Sequence, residues 1–267
     1  MKCEILASVM NQKRVNETVD RLKIADDDKC LIINQVTEKL ESKDIREGNH
    51  RFFSYKEKGL SKSRNHALDN AEGDVCLIAD DDMFYVKNYA TTIKQAYKKH
   101  PDADIIAFIV DREGKEYTPK IKEEGELNSI MTMKLSSVQL SFKRESIERK
   151  GLRFDEEFGA GAKYPWGEEN IFLFDCIRAG LKVYYVPVKI ATLLDMDKTS
   201  WDRGNTPKHF EQQGAIYYRM SPSFWRVLTL QFVLRKRKIY SRDMSGISVY
   251  QAMVRGAKKY KREHKNV

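Results

Sequence analysis

The chain has 267 residues, of which 41% are hydrophobic and 33% charged, a composition typical of a folded protein with a substantial core. The four cysteines lie singly without a CxxC pair, which argues against a zinc site and favours reduced thiols. The net charge of +9 lies in residues 235–267, which contain eleven Lys and Arg residues and two acids. The longest apolar stretch, 224–234, is too short to span a bilayer, and the N-terminus lacks a signal-peptide pattern. We therefore expect a cytoplasmic protein.

The first half of the chain alternates apolar runs with amphipathic segments. Strands are predicted at 3–9, 29–36, 51–56, 73–79 and 103–111, and helices at 14–24, 59–71 and 86–100, with Ser61 as a candidate N-cap of the second helix. Continuous apolar runs separated by helices predict a mainly parallel sheet with helices on both faces, the doubly wound α/β architecture. Ligands bind beyond the carboxyl ends of the strands in such sheets.

The second half is less regular. Residues 111–130 form a polar stretch that predicts an exposed loop or hairpin. The segment 138–180 then predicts a strand, a helix, a glycine-rich loop and another helix, and 182–193 a further strand.

Three acids follow the wholly apolar strand at 73–79. Asp80, Asp81 and Asp82 are adjacent, and like charges packed closely raise one another's pKa unless a cation neutralises them. All-oxygen ligand sets suit Mg²⁺ or Mn²⁺, which in turn bind phosphates. The cluster therefore predicts a divalent ion that holds a diphosphate. The alternative is a solvated turn in which Asp80 or Asp82 caps the next helix.

Two blocks of the sequence resemble glycosyltransferase family 2, which has the GT-A fold. The blocks are GLSKSRNHALDNAEGDVCLIADDDMFY (59–85) and FDEEFGAGAKYPWGEENIFLFDCIRAG (154–180), and the resemblance extends over roughly residues 3–220. It implies a GT-A-like doubly wound mixed, mainly parallel sheet. It also implies a hexosyltransferase-like enzyme with a nucleotide-sugar donor, in which Mn²⁺ or Mg²⁺ binds the donor diphosphate at a DxD motif.

The first block supplies the residues expected to hold the donor. The resemblance implies that Arg64 reaches the nucleotide; otherwise Arg64 is a surface cation paired with an acid such as Asp69. Ala79 occupies the place of the usual first aspartate, so Asp81 and Asp82 are preferred over Asp80 as ribose and metal contacts.

The second block supplies the residues expected to act on the acceptor. The resemblance implies that Glu169 is the catalytic base of an inverting reaction, with Glu168 beside it. A carboxylate near the sugar can take the proton of the attacking hydroxyl. Alternatively, both acids only stabilise a helix N-terminus. Trp166 either stacks on an acceptor sugar or anchors the core.

The chain departs from the family at the first two strands and at the third metal ligand. The family proline and tyrosine after the first strand are absent, although Asn11 and Ser8 are still expected near the nucleotide. Asn34 and Gln35 replace the usual base-binding aspartate, so the identity of the nucleotide, UDP or another, stays open. His209, Asp195 and Asp197 are candidates for the third ligand, and for His209 the alternative is a surface helix start.

The basic end predicts a helical extension at 223–267, after a transferase domain at 1–222. In its second helix the expected apolar stripe consists of Ile247, Tyr250, Val254 and Ala257. The extension either packs on the domain or docks on an anionic inner-leaflet surface, where each Lys or Arg contributes about 1 kcal/mol. Nucleic acid is disfavoured because residues 1–234 are neutral overall and contain no recognition motif.

The expected function is transfer of a sugar from a nucleotide sugar, preferably UDP-linked, to a glycan or a lipid-linked acceptor. The metal stabilises the negative charge of the departing nucleoside diphosphate. Two alternatives stay open. One is a nucleotidyltransferase, which is disfavoured because no glycine-rich phosphate loop follows the first strand. The other is a degenerate GT-A-like domain that only binds membrane or nucleic acid.

Overall fold

The computed structural model describes residues 1–25, 27–37, 44–194 and 204–264. The chain divides into two compact units, Met1–Met196 and Asp197–Val267. The boundary predicted between residues 222 and 223 lies inside the second unit, and the assignment of a transferase domain to 1–222 stays a prediction.

The first unit alternates strands and helices as the sequence predicts. Its elements are β1 (Cys3–Met10), α1 (Val15–Leu22), β2 (Lys29–Gln35), β3 (Asp44–Glu47), β4 (His50–Tyr55), α2 (Leu60–Asn70), β5 (Val75–Asp80), β6 (Met83–Tyr85), α3 (Tyr89–Lys99), β7 (Ile105–Arg112), β8 (Gly125–Leu127), α4 (Ser129–Thr132), a 3₁₀ turn (Ser137–Gln139), β9 (Leu140–Lys143), α5 (Arg144–Arg149), α6 (Glu168–Arg178) and β10 (Val183–Leu193).

These strands form one mixed sheet in the order β3-β4-β2-β1-β5-β9-β7-β10-β6, with β8 added to β10. The block β4-β2-β1-β5 is parallel, as is the pair β7-β10, whereas β9 runs antiparallel between β5 and β7. Alternate residues of β1 enter two separate cores: Ile5 and Ala7 lie in the core that includes residues of α1 and α3, and Leu6 lies in the core that includes residues of α2 and α6. The predicted α/β sheet with helices on both faces is confirmed.

One local expectation is wrong, and two short strands have no counterpart in the prediction. Ser61 is not the N-cap of α2, because the helix begins at Leu60 and its N-cap is Gly59, two residues before Ser61. The Ser61 hydroxyl is buried instead and donates to the Phe158 carbonyl at 2.6 Å. The strands β3 and β6 were not predicted, since each has only three or four residues and little apolar alternation.

The second unit is helical in its described part. Its elements are α7 (Pro207–Met220), α8 (Trp225–Arg235), α9 (Arg237–Tyr240) and α10 (Gly246–Glu263). Helices α7 and α10 approach so closely that a Cβ added to Gly214 or Gly256 would lie 1.9 or 1.7 Å from a backbone carbonyl oxygen of the other helix. No helix in the described ranges has the length and apolar character that a bilayer crossing requires.

Of the apolar stripe predicted for α10 only Ala257 is buried: Ile247 is 73% exposed, and Tyr250 and Val254 are half-buried. The buried face of the helix contains Val249, Ala252, Met253, Gly256, Ala257 and Tyr260. The close contacts at Gly214 and Gly256 set the rotation of α10 on α7. A prediction from apolar side chains alone leaves glycine out, and it therefore misplaces the buried face of α10.

Candidate active site

The carboxyl ends of β1, β2 and β5 meet at one edge of the sheet. The chain passes outward from β1 through β2 to β4 and then returns to β5 on the other side of β1, so the order of strands reverses between β1 and β5. Ser8 lies opposite Asp80 in the register of that pair, and Gln35 lies opposite Met10 on the other side of β1. Crevices at such switch points are where open α/β sheets bind ligands.

The three aspartates occupy the turn from β5 to β6. Asp80 is the last residue of β5, and Asp81 contacts Arg21 of α1 through both its carboxylate (3.6 Å) and its carbonyl oxygen (3.2 Å). The Oδ1 atom of Asp82 is buried and has no hydrogen-bond partner in the described part of the chain. Burial and the neighbouring Asp80 and Asp81 charges raise the pKa of Asp82, and burial raises the pKa of Asp81 despite Arg21.

This chemistry fits a hard divalent cation. Closely spaced acids with raised pKa values and a buried, unsatisfied carboxylate oxygen are stabilised when a positive charge approaches them. Within the described ranges no group of three acids, histidines or cysteines converges as a complete ligand set. Of the candidates for a third ligand, Asp195 and Asp197 lie outside the described residues, and His209 lies in the first turn of α7 in the second unit.

Arg64 of α2 joins the two blocks of the sequence. Its guanidinium is buried and lies 2.8 Å from Glu168 Oε1 and 3.3 Å from Asp80 Oδ1, and it also donates to Ser137 Oγ at 2.7 Å. The alternative of a surface cation paired with Asp69 is wrong, because Arg64 is buried and pairs with Asp80 and Glu168, whereas Asp69 accepts from Arg153 at 2.6 Å. Arg64 therefore links β5, α6 and the 3₁₀ turn, and its contact with a nucleotide stays a prediction.

The two glutamates at the start of α6 differ in environment. Glu168 is buried, one of its oxygens is held by Arg64, and the other has no partner among the described residues. Glu169 is half-buried. Burial and the adjacent Glu168 charge raise the pKa of Glu169 to about 8. Glu169 is thus the member of the pair that is placed to exchange a proton near neutral pH.

The glycine-rich loop before α6 covers Glu168. Gly159 has φ +104°, and a Cβ there would lie 3.1 Å from Ser61 Oγ and 3.3 Å from Glu168. The loop also caps α2, because the Ala160 carbonyl accepts from Leu60 N at 2.9 Å. Half-buried Trp166 follows this loop, and its two alternative roles stay open.

The polar residues on β1 and β2 are engaged by neighbouring loops. The Asn34 amide pairs with both the N–H (2.9 Å) and the carbonyl (3.0 Å) of Gln12, and Gln35 Oε1 accepts from Gly59 N at 2.6 Å. Asn11, at φ +53°, exchanges hydrogen bonds with Thr37. Ser8 accepts from Ser63 at 2.9 Å. The structure brings all four predicted residues to this sheet edge, and their contact with a nucleotide stays a prediction.

Several residues of this site carry no signal in the sequence. Arg21 resembles any exposed cation on a helix, and Ser137 lies in a stretch without periodicity. Ser63 lies in a run of five polar residues, Ser61 to Asn65, and nothing in the sequence distinguishes it from its neighbours. Only the sheet topology brings them to the acids.

The model of the family "Glycosyl transferase family 2" matches residues 3–157 of this chain. The chain belongs to glycosyltransferase family 2. The family match covers β1 to α5 with the acid cluster and Arg64, and ends before the glutamates of α6. The predicted enzyme class, a glycosyltransferase, is confirmed.

Solved structures of a glycosyltransferase have the same fold. S. aureus TarS 1-349 in complex with UDP-GlcNAc is 14% identical, with a TM-score of 0.67 over 96% of this chain and 82% of that chain. Its complex with UDP gives 13% identity and a TM-score of 0.63 over 97% and 83% of the two chains. At this identity the likeness shows the GT-A-like fold alone. Comparison with curated proteins gives no sequence match.

We predict that Arg64→Ala destabilises the protein by about 3–5 kcal/mol, because it leaves Glu168 buried without its cation. The matched control is Arg153→Ala, which removes an arginine from an exposed pair with Asp69 and is expected to cost about 0–1 kcal/mol. Urea unfolding at pH 7 measures both. Equal losses in the two variants would contradict the central role of Arg64.

We predict that stability falls as pH rises from about 5 to 8, because folded Glu169 keeps a proton that the unfolded chain has already lost. Glu169→Gln removes this titration, so its free energy of unfolding falls less over the window and exceeds that of the parent at pH 8. Thermal unfolding across the range measures the effect. Glu145→Gln, at an exposed acid in the first turn of α5, is expected to follow the parent, and a parent-like slope for Glu169→Gln would refute the assignment.

Proposed function

We propose that this family 2 enzyme transfers a sugar from a UDP-linked donor to the hydroxyl of a glycan or a lipid-linked acceptor, with inversion at the anomeric carbon. One observation carries the proposal: buried Arg64 holds the acid cluster of β5 and the glutamate pair of α6 in one site. A donor at the acids and a base at α6 are the two elements that such a reaction needs.

The donor nucleotide is proposed to lie over the edge of β1 and β2. The TarS structures with UDP and UDP-GlcNAc support UDP as the nucleotide. Because the Asn34 amide already binds Gln12, we propose that Asn34 and Gln35 shape the base pocket by fixing the loops at Gln12 and Gly59. Ser8, Asn11 and Arg64 complete the proposed donor contacts.

The metal is proposed to be Mn²⁺ or Mg²⁺ at Asp81 and Asp82, with Asp80 alongside. A role for His209 as a third ligand stays a prediction from the sequence. When bound, such an ion supplies a Lewis acid that neutralises a diphosphate. Asp80 shares its charge with Arg64 and Asp81 contacts Arg21, whereas Asp82 Oδ1 has no hydrogen-bond partner among the described residues. Asp82 is therefore the acid most available to an ion, with Asp81 beside it.

Glu169 is proposed as the base. It takes the proton of the acceptor hydroxyl while the new bond forms between that oxygen and the anomeric carbon, and the bond from this carbon to the diphosphate oxygen breaks. A single displacement of this kind inverts the anomeric centre. Glu168 is held by Arg64 and serves to position α6, whereas the raised pKa of Glu169 matches a base that works near neutral pH. Trp166 is proposed to contact the acceptor sugar.

A peripheral contact with an anionic membrane surface is proposed for the second unit. Helix α8 has apolar residues on its exposed side as well as on its buried side. Trp225 and Leu228 are buried. Val227, Leu230 and Leu234 are at least half exposed. Four consecutive cations, Arg235 to Lys238, follow this exposed side. An exposed apolar face flanked by Lys and Arg is typical of helices that lie in a lipid interface.

We predict donor turnover by the purified protein with a UDP-sugar and Mn²⁺ or Mg²⁺, and its loss in EDTA. Glu169→Gln is expected to lower the rate about 10²–10⁴-fold, the usual contribution of a general base, while Asp82→Ala loses metal-dependent binding of UDP. Hydrolysis and transfer assays with a panel of UDP-, GDP- and TDP-sugars measure these effects, with Glu145→Gln as the control.

Unchanged rates in both variants would refute the assigned roles. A folded protein that binds no nucleotide with either metal would favour a degenerate binding module, and release of pyrophosphate from a nucleoside triphosphate would favour a nucleotidyltransferase.

A further inference from the structure

A second cavity opens beside the acid cluster, at the carboxyl ends of β7 and β10. Its volume is about 390 Å³, and it is lined by the chain that follows β7, by residues 134–136 and 139, and by Tyr185 and Leu193 of β10. None of the residues assigned above to the donor, the metal or the base lines it. The cavity lies wholly within the first unit.

The lining combines an apolar floor with a basic rim. Ile121 and Leu135 are buried, and the hydroxyls of Tyr117 and Tyr185 lie 3.5 Å apart. Four cations from two segments line the cavity: Arg112, Lys115, Lys120 and Lys134. Of the two acids in the lining, Asp111 is paired with Lys189 at 2.6 Å. The net positive rim fits a ligand that carries an anionic group, and the two tyrosines offer hydroxyls to the rest of that ligand.

The cavity shares two walls with the active site. Leu193 lines it, and the next residue, Leu194, donates its N–H to the Asp82 carbonyl at 2.8 Å. Ser136 lines it too, and the next residue, Ser137, accepts from Arg64. The charge of Arg112 also lowers the pKa of Asp82, against the larger effect of burial. A ligand in the cavity therefore lies beside the acids but outside their cluster.

The strand order separates this cavity from the donor site. One strand, β9, lies between β5 and β7, and strand spacing places these two strands roughly 10 Å apart. The turn that follows the acids adjoins the cavity, because Met83 pairs with Leu193. The proposed nucleotide lies on the β1 side of the acids, so the transferred sugar and then the acceptor lie on the opposite side. The cavity is on that side of β5.

We propose that this cavity binds an anionic group, phosphate or carboxylate, of the acceptor. The proposal rests on the proposed function, since it assigns the acceptor of that same reaction. It adds the chemical class that the sequence leaves open: a phosphate-bearing or carboxylate-bearing acceptor whose negative charge is held by Lys120 and Lys134 while its hydroxyl approaches Glu169.

The test uses inorganic phosphate and glucuronate as separate probes of the whole chain, followed by amide NMR. Saturable shifts are expected at Tyr117, Lys120 and Ser136 with one or both probes, and the probe that binds identifies the acceptor group. In Lys120→Glu/Lys134→Glu the affinity is expected to fall at least tenfold. Lys98→Glu, at an exposed lysine of α3, is expected to bind as the parent does.

A parallel titration with UDP and Mn²⁺ separates this inference from the proposed function. UDP affinity is expected to be equal in the parent and both charge variants, which also shows that the variants are folded. If neither probe binds, or if its affinity is the same after reversal of Lys120 and Lys134, the inference is overturned even where UDP binds. If the probes bind at the cavity but UDP does not bind at all, the donor assignment fails instead.

Discussion

The ion pairs of Arg64 are the interaction on which the rest of the site depends. A buried guanidinium is tolerated only where acids and other acceptors satisfy it, and here Glu168, Asp80 and Ser137 do so. These partners come from α6, β5 and the 3₁₀ turn, which are far apart in the sequence. The need to neutralise one cation therefore brings the proposed donor and acceptor sides together. The ion pair also distinguishes the two glutamates. Glu168 is paired with Arg64 and has a structural role, whereas Glu169 is not held by Arg64.

The mixed sheet sets where each ligand can lie. The parallel block ends at β5, where the order of strands reverses and the acids form the turn to β6. Beyond it, antiparallel β9 separates this edge from β7 and β10. The nucleotide side and the basic cavity are consequently two places on one rigid sheet, and the transferred sugar lies between them in the proposed reaction. A rigid sheet edge holds such groups more closely in position than a long loop does.

Much of this fold could be predicted because its signals are local. Apolar runs and helical periodicity located β1, β2, β5 and β7, and the acids after an apolar strand indicated a site. Long-range pairing could not be predicted in the same way. Arg64 has the same local surroundings whether it faces solvent with Asp69 or the interior with Glu168, and only the tertiary structure decides between them. The same holds for Ser61, which has the local sequence of an N-cap but donates instead to the Phe158 carbonyl. It also holds for Ile247, which is exposed because Gly214 and Gly256 turn another face of α10 toward α7. Arg21 and the basic cavity were missed because their members are ordinary surface residues in sequence.

The central claim is that the acid cluster beside Arg64 holds the diphosphate of the donor through a divalent ion. A crystal structure of the protein soaked with UDP and Mn²⁺, with anomalous data at the manganese edge, tests it most directly. We expect one manganese peak within coordination distance of an oxygen of Asp81 or Asp82 and of a diphosphate oxygen, with the uracil over the ends of β1 and β2. A peak elsewhere, or UDP bound without contact to this sheet edge, would contradict it.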